Sequence, residues 1–400
     1  MPSLSRRRLL QASAGSGLLS ACTMPGAPAA SLAPIRARTD RIFDVAVCLR
    51  PFRAAGPRLD TERLGDTLVV HNYGHGGSGW SLSWGSSTIA VAKAMQAHPP
   101  EVAVIGCGAL GLTSAILAQR AGARVTIYAA EQLPQTRSAR ASGAWTPDSR
   151  IALASAAGPD FAALWEDMAR TAYKTHRDYL GLPGAPVEWT DFYSVAVEEA
   201  APSPAPTPTP TPTPAPAPAE TLDFASYGRR IADLVPRGVR LPADAAPFRA
   251  ASVHRNEFMI FNIADYGHTL LNDFFIAGGQ YRHAEFRHPS QIAALGKKVV
   301  INCTGYGARA LWRDDSVTPV RGQIARLIPQ ADVRYGLYYK HVYVVPRRDG
   351  IVVQAIDGGD MKGYGDANET VDRAESDRAV TTLAELFTPP RWRGPSMASS

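Results

Sequence analysis

The stretch that decides the fold is VAVIGCGALGLTSAILAQRAGARVTIYA, residues 102–129. It opens with a short apolar run, residues 102–105, which is typical of a buried strand. The glycines that follow, Gly106, Gly108 and Gly111, have the spacing G-x-G-x-x-G. Between a strand and a helix, this spacing lets the backbone approach a pyrophosphate at the helix N-terminus, where free N–H groups favour an anion.

The rest of the stretch supplies that context. We expect a helix from the last glycine to about Ala121, with Gly122 as its C-cap, and a second strand from Arg124 to Tyr128. These elements in this order predict a dinucleotide-binding unit, without choosing between NAD and FAD. Glu131 follows the second strand where a ribose-binding acid belongs, and a solvated surface charge is the alternative reading.

Length and composition exclude several classes of protein. The 400 residues are enough for two or three domains, and 45% apolar with 20% charged residues exclude a disordered or fibrous chain. The net charge of +6 is spread along the chain, which disfavours nucleic-acid binding. Four scattered cysteines predict neither a disulfide framework nor a metal site. No apolar run reaches 18 residues, so no membrane span is expected.

The N-terminus has the pattern of a targeting segment, residues 1–22. Arg6 and Arg7 with the apolar stretch after them resemble a twin-arginine export signal, and the four residues ending at Cys22 resemble a bacterial lipobox. The expectation is export to the periplasm, with lipidation of Cys22 and a lipid anchor, followed by a tether over residues 23–39. A plain secretory signal with an incidental cysteine is the alternative.

Two further segments stand out by composition. Residues 200–220 alternate proline with alanine or threonine, which predicts a disordered polyproline spacer inserted in a domain. Residues 71–79, HNYGHGGSG, are glycine-rich and precede WSLSWG and a helix expected from Ile89 to Met95. Such a segment exposes backbone N–H groups to a ligand, or it is a structural loop.

Together these segments resemble the D-amino-acid oxidase family of FAD enzymes. The resemblance covers most of residues 40–385 and is most specific at HNYGHGGSG. The matching motifs are VAVIGCGALGLTSAILAQRAGARVTIYA (102–129), TRSARASGAWTP (136–147), VVINCTGYGARAL (299–311), PVRGQ (319–323), YVVPR (343–347) and VVHNYGHGGSGWSLSWG (69–85).

The order of the motifs departs from the family. There the segment around Arg50 and HNYGHGGSG closes the chain, whereas here it precedes the G-x-G-x-x-G unit, so the sequence looks circularly permuted. The family's paired glycines after YVVPR are also missing, because the run here is Ile351-Val-Val-Gln-Ala-Ile356. This second departure implies surroundings of the flavin that differ from those in the family.

The resemblance implies an α/β fold in which a Rossmann-type FAD-binding domain is interleaved with an α+β substrate domain built on a largely antiparallel sheet. Both domains are then discontinuous. The FAD-binding domain would comprise residues 66–147 and 258–315, and the substrate domain residues 40–65, 148–257 and 316–390.

The implied activity is FAD-dependent oxidative deamination of D-amino acids to 2-oxo acids and ammonia, with oxygen reduced to hydrogen peroxide. Hydride transfer from substrate to flavin requires no catalytic acid or base from the protein. Three alternatives stay open: a dehydrogenase that uses a membrane electron acceptor, an oxidase of glycine or secondary amines, and a non-catalytic flavin-binding lipoprotein. Whether the chain forms a homodimer is also left open.

The resemblance also carries over site residues. Arg50 corresponds to the arginine that binds the substrate carboxylate, Tyr343 to a second carboxylate contact, and Tyr339 to a lid tyrosine, for which Tyr338 is the alternative. The Gly77 carbonyl would accept from the substrate amine. The implied FAD contacts are Gly106, Gly108, Gly111, Ala130, Glu131, Thr136, Arg137, Ser138, Ser142, Gly143, Ala144, Thr304, Gly76, Gly77, Ser78, Gly79, Trp80 and Ser81.

Overall fold

The computed structural model describes residues 32–197, 221–389 and 391–392. The predicted export signal with Cys22, most of the N-terminal tether and the proline-rich insertion at 200–220 lie outside the described residues. The statements that follow concern the described parts of the chain.

These parts contain fourteen strands and seven α-helices. The strands are β1 (Ile42–Phe52), β2 (Thr61–Leu64), β3 (Thr67–His71), β4 (Glu101–Ile105), β5 (Arg124–Ala129), β6 (Val187–Ala196), β7 (Val239–Arg240), β8 (Ser252–Phe261), β9 (Gln280–His283), β10 (Val299–Asn302), β11 (Thr318–Leu327), β12 (Tyr335–Tyr339), β13 (Val342–Arg347) and β14 (Gly350–Ala355). The helices are α1 (Ser83–Ala94), α2 (Ala109–Arg120), α3 (Phe161–Arg177), α4 (Ile263–Ile276), α5 (Pro289–Ala293), α6 (Ala308–Leu311) and α7 (Arg373–Leu386). None of these helices is long and apolar enough to cross a membrane.

The predicted dinucleotide-binding unit is confirmed as β4, α2 and β5. Helix α2 ends at Arg120, and Gly122 follows in the left-handed region with φ +96°, where its N–H donates to the Gln119 carbonyl. The helix expected from Ile89 is longer than predicted, because α1 begins at Ser83. Its first turn carries Ser83, Gly85 and Ser86 around the buried Trp84, and these small and polar residues hide the apolar periodicity there.

A six-stranded sheet holds this unit, in the order β2-β3-β10-β4-β5-β9. Its strands pair in parallel except for β2, which is antiparallel to β3 at the edge. Helices α1, α2 and α4 pack on one face with Val70, Val102 and Val104, while α5 and α6 cover the other face. Both faces are therefore buried, which explains the continuous apolar runs of its inner strands.

The second sheet has eight strands in the order β1-β11-β14-β13-β12-β6-β8-β7. Its two flanking blocks are antiparallel, but β12 and β6 pair in parallel where the blocks meet. Both sheets are therefore mixed, which corrects the description of the substrate sheet as largely antiparallel. The parallel pair arises because β6 and β12 are joined by a long connection rather than by a hairpin.

The two faces of this second sheet have different partners. Helix α7 packs on one face, where Leu383 lies in an apolar cluster with Leu337 and Val353. The opposite face carries Ile324, Val345 and Val352, which pack with Ala144 near the six-stranded sheet. We call this opposite face the inner face.

Two buried histidines predict a dependence of stability on pH. His176 on α3 contacts the Tyr266 hydroxyl through Nδ1 at 2.8 Å, and burial lowers its pKa to about 3. Burial alone lowers the pKa of His75 to about 3 as well. Both are neutral when folded, whereas the unfolded chain protonates them below about pH 6.5, so it binds more protons there.

The free energy of unfolding should therefore fall as the pH drops from about 6.5 towards 3, by up to about 1.4 kcal/mol per pH unit for each histidine. Denaturant titrations with excess FAD at several pH values measure this slope. His176→Gln should flatten it, whereas the exposed control His254→Gln should not. Equal slopes in wild type and His176→Gln would contradict the assignment.

Candidate functional site

A cavity of about 500 Å³ lies between the two sheets. One wall is formed where β4, β5, β9 and β10 end, which is the edge at which doubly wound sheets bind ligands. The other wall is the inner face of the eight-stranded sheet at Cys48, Arg50, Gly322 and Ile324. The site therefore joins a nucleotide-binding edge to a second, sheet-built surface.

The glycine turn forms the floor of the cavity. Gly106 has φ +105°, and a Cβ there would lie 2.5 Å from the Cys303 carbonyl oxygen. A Cβ on Gly111 would lie 2.0 Å from the Gly106 carbonyl oxygen, so α2 can pack on the turn only with glycine at 111. Gly111 does not line the cavity, and its contribution is this close packing.

The start of α2 presents unused hydrogen-bond donors to the cavity. Gly108 and Leu110 both line it, and their backbone N–H groups donate to no acceptor in the described chain. The N–H of Ala109 between them donates to Ser138 Oγ at 3.1 Å. Free N–H groups at a helix N-terminus suit a phosphate, as the motif predicts.

Most of the other predicted cofactor contacts also line the cavity. Two of them have buried atoms without a partner among the described residues, Thr136 Oγ1 and Arg137 Nε. The residues of this set that line the cavity are Ala130, Glu131, Thr136, Arg137, Ser138, Ser142, Gly143, Ala144 and Thr304. Their individual roles stay predictions.

The segment 76–81 lies at the cavity, but only part of it can donate to a ligand. The N–H groups of Gly76 and Gly77 donate to the carbonyls of Pro51 and Ser149, at 2.8 and 2.9 Å. Ser78 is buried and does not line the cavity, and its N–H donates to the His75 carbonyl. The prediction that this segment exposes N–H groups to a ligand therefore does not hold for Gly76, Gly77 and Ser78.

The donors that remain are Gly79, Trp80 and Ser81, which precede α1. All three line the cavity, and their N–H groups donate to no acceptor within the described ranges. The Trp80 side chain is fixed by its Nε1–H, which donates to the Ser138 carbonyl at 2.8 Å. Three consecutive free N–H groups in the turn before α1 favour negative charge on a ligand edge.

Arg50 on β1 is a cation in the cavity wall. Its Nη1 donates to the Arg321 carbonyl at 3.2 Å, and it forms no ion pair within the described chain. Burial, with a smaller effect of the neighbouring Arg150 charge, lowers its pKa to about 10, so it remains cationic at neutral pH. A half-buried guanidinium without a carboxylate is costly unless an anion binds it.

Gly322 determines where the Arg50 side chain lies. A Cβ on Gly322 would be 2.3 Å from Arg50 Nη2, so the guanidinium lies directly over this glycine of the neighbouring strand β11. Arg321 beside it is fully engaged, because it donates to the carbonyls of Asn368 and Thr370, each at 2.9 Å. Arg321 is therefore a structural cation.

The tyrosines of the β12–β13 hairpin lie on different faces of the sheet. Tyr343 is on the inner face, although it does not line the cavity itself, and its hydroxyl has no partner among the described residues. Tyr339 is fully buried on the α7 side, where Arg391 donates to its hydroxyl. It therefore cannot serve as the predicted lid tyrosine. Tyr338 pairs directly opposite Tyr343 and is the tyrosine of this hairpin that shares its face.

His75 lines the cavity, and sequence reasoning gave it no role. Its Nε2 lies 2.7 Å from Ser86 Oγ, which in turn donates to Asn72 Oδ1, so Nε2 carries the proton. Its Nδ1 is then a buried acceptor without a partner in the described chain. The sequence signal for His75 is its position inside HNYGHGGSG, between Gly74 and Gly76.

The geometry is that of a dinucleotide-binding edge facing a half-buried cation, and the comparisons with known proteins show the family. A model of the DAO family, described as FAD dependent oxidoreductase, matches residues 101–397. The chain belongs to this family. The predictions of an enzyme and of FAD as its cofactor are confirmed on this basis.

The individual relatives match only part of this chain. The D-amino-acid oxidase of Streptomyces coelicolor is 27% identical over 234 residues, which cover 56% of this chain and 58% of that protein. The D-amino acid oxidase of Dugesia ryukyuensis is 33% identical over 81 residues, 20% of this chain and 24% of that protein. Each match spans less than two thirds of the relative. The glycine oxidase of Geobacillus kaustophilus has 14% identity and a TM-score of 0.46, and the match covers 74% of this chain and 80% of that one.

The residues present fit FAD. The unpartnered buried atoms of Thr136 and Arg137 and the free N–H groups of Gly108 and Leu110 would satisfy a nucleotide with its pyrophosphate. The free N–H groups of Gly79, Trp80 and Ser81 would hold the electron-accepting edge of the flavin. Each of these groups otherwise lacks a partner in the described chain. The cavity therefore suits a ligand that places hydrogen-bond acceptors next to both sets of donors.

Proposed function

We propose that this DAO-family enzyme oxidises D-amino acids to 2-oxo acids and ammonia, with oxygen as the electron acceptor. The observation that carries the proposal is Arg50, a half-buried cation in the cavity wall that forms no ion pair within the described chain. A substrate carboxylate supplies the missing anion, and a guanidinium binds it through two parallel hydrogen bonds. The choice of D-amino acids rests on the relatives named D-amino-acid oxidase.

In this proposal the protein positions the substrate and the bound FAD supplies the redox chemistry, accepting a hydride and passing two electrons to an acceptor. Arg50 holds the carboxylate, and the Gly77 carbonyl accepts from the substrate amine. The N–H groups of Gly79, Trp80 and Ser81, in the turn before α1, stabilise negative charge as it develops. The product imine hydrolyses in water to the 2-oxo acid and ammonia.

We also propose that the chain order is a circular permutation of the family order. The family model begins at residue 101, so the segment with β1, Arg50 and β3 lies entirely before it. This segment nevertheless supplies a strand to each sheet, β3 beside β10 and β1 beside β11. Helix α1 reaches β4 through residues 95–100, a link short enough to have joined two former termini. The domain boundaries predicted from the sequence belong to this proposal.

The proposed location is the periplasm, with the protein exported by the twin-arginine route and anchored through a lipid on Cys22. The pattern of residues 1–22 supports it, and a folded, FAD-loaded protein suits that route. Cell fractionation with Cys22→Ser as the comparison tests the anchor, since the variant should leave the membrane fraction.

The test of the activity is reduction of the bound flavin by a panel of D- and L-amino acids without air, followed by readmission of air. Reoxidation with formation of peroxide supports an oxidase, whereas a flavin that stays reduced in air indicates a dehydrogenase. Reduction of the flavin by glycine or secondary amines alone would indicate an enzyme that oxidises those substrates instead of D-amino acids. A flavin that none of these reduces would indicate a binding protein.

A further inference from the structure

Two side chains that line the cavity, Arg137 and Tyr306, meet across the glycine turn. Arg137 follows β5 and Tyr306 follows β10, while the turn follows β4, which lies between these two strands in the sheet. Arg137 Cζ lies 5.4 Å from the centre of the Tyr306 ring, within the range of a cation–π contact. This stack therefore connects the two walls that flank the turn.

Both walls lie directly against the turn at the base of the stack. A Cβ on Gly108 would lie 2.6 Å from the Oγ atom of Ser138, the residue next to the arginine. On the other side, a Cβ on Gly106 would lie 2.5 Å from the carbonyl oxygen of Cys303, which precedes the tyrosine in the same wall. The stack therefore spans the glycine turn beside the free N–H groups at the start of α2.

Each partner of the stack is held by further contacts within the described chain. The Tyr306 ring packs against the apolar cluster around Tyr73. The Arg137 guanidinium pairs through Nη2 with Glu369, which lies between η6 and α7. The residues before and after Glu369 are fixed as well, because their carbonyls accept from Arg321 at 2.9 Å each. The chain itself thus keeps the guanidinium across the turn.

Arg137 retains a donor and a charge for a ligand. Its Nε is buried and has no hydrogen-bond partner among the described residues. A phosphate oxygen is an acceptor that suits a guanidinium, and a buried N–H without an acceptor is unfavourable. Arg140 lies 3.6 Å from the same Glu369 carboxylate, so two cations share one anion. This group of three side chains therefore keeps a positive charge beside the glycine turn.

We propose that Arg137 and Tyr306 form a latch over the pyrophosphate of bound FAD, which has to open before the cofactor enters or leaves. The Arg137 Nε donates to a phosphate oxygen, while Tyr306 and Glu369 hold the guanidinium closed. The inference concerns retention of the cofactor and does not depend on which substrate the enzyme oxidises. Such retention suits the proposed export of a folded, FAD-loaded protein.

A latch has a kinetic property that an ordinary contact lacks. The stack and the Glu369 ion pair are both made by the chain alone, so they oppose opening whether FAD is arriving or departing. A latch therefore slows association as well as dissociation. A side chain that only touches bound FAD slows dissociation and leaves association unchanged.

The test measures the rate constants of FAD binding to the apoprotein and of FAD release from the holoenzyme, both followed by flavin fluorescence. Tyr306→Leu removes the ring and keeps the Arg137 charge, so both rate constants should rise by about fivefold. Tyr306→Phe keeps the ring face and should show the wild-type rate constants. The matched control is Arg177→Met, which removes a second stack, with Arg177 Cζ 5.7 Å from the Tyr173 ring centre, away from the cavity. It should leave both rate constants unchanged.

A second variant covers the case in which Tyr306→Leu does not fold. Glu369→Gln loosens the guanidinium without touching the apolar cluster behind the tyrosine, and its ion pair is partly exposed. It should raise both rate constants by about twofold.

The outcomes separate this inference from the proposed function. A rise in the dissociation rate constant alone overturns the latch, because Tyr306 would then be an ordinary contact of FAD. Unchanged rate constants in Tyr306→Leu also overturn it, as do unchanged ones in Glu369→Gln if the leucine variant does not fold. If the wild-type apoprotein binds no FAD, this inference fails with the cofactor assignment. A holoenzyme that oxidises no D-amino acid removes the proposed function, and the rate constants still decide the latch.

Discussion

Replacing Arg50 by methionine should lower kcat/KM for D-amino acids by about 10²- to 10³-fold or more, while FAD stays bound. Removing one partner of a buried charge pair costs about 3–5 kcal/mol, and this cost appears only when the carboxylate is present. Steady-state kinetics with D-alanine and the visible flavin spectrum of the purified variant measure the two effects.

The stability of the same variant, measured without substrate, is a second test of Arg50. Because Arg50 forms no ion pair within the described chain, Arg50→Met removes an uncompensated charge, and the free energy of unfolding should not fall. Arg321→Met is the matched control, because Arg321 donates to two backbone carbonyls. This substitution should lower the free energy of unfolding by about 1–3 kcal/mol. Loss of stability in Arg50→Met with unchanged kcat/KM would make Arg50 a structural residue and remove the main support for the proposed function.

Gly111→Ala should produce a protein that is purified without its full content of FAD. The new Cβ would lie 2.0 Å from the Gly106 carbonyl oxygen, and neither backbone can yield without moving α2 away from the glycine turn. That movement displaces the N–H groups of Gly108 and Leu110 from a pyrophosphate, so FAD affinity should fall by at least about tenfold, with a loss of about 1–3 kcal/mol in stability. Titration of the apoprotein with FAD measures the affinity.

Gly122→Ala separates this effect from the general cost of losing a glycine. Gly122 has φ +96°, but a Cβ there meets nothing within 4 Å. We expect a stability loss of about 1 kcal/mol from the left-handed conformation and unchanged FAD affinity. If both variants bind FAD as wild type does, the close packing of α2 on the turn is not what builds the site.

The nucleotide-binding unit could be predicted from the sequence because its signals are local. A buried strand, a glycine turn, a helix and a cap follow each other within residues 102–129, and each requires particular residue types at short spacing. The functional candidate Arg50 came from the resemblance, and its lack of an ion pair became visible only in the structure.

The predictions that the structure corrects depend on contacts between residues far apart in the sequence. The N–H groups of Gly76 and Gly77 are taken by carbonyls of Pro51 and Ser149, which no local pattern indicates. The resemblance implies Tyr339 as the lid tyrosine, but Tyr338 is the residue that shares the face of Tyr343. A shift of one residue along a strand turns the side chain to the other face, so the two tyrosines are easily exchanged. The parallel pairing of β6 with β12 likewise depends on a distant connection.

In the proposed function, the cavity binds FAD and the carboxylate of a D-amino acid together. The most direct measurement is the visible spectrum of the purified wild-type protein without air, before and after addition of D-alanine, L-alanine, D-asparagine and L-asparagine. We expect a flavin band that the D-enantiomers bleach and the L-enantiomers leave unchanged. A flavin band that no amino acid bleaches, or a protein that binds no flavin when FAD is supplied, would contradict it.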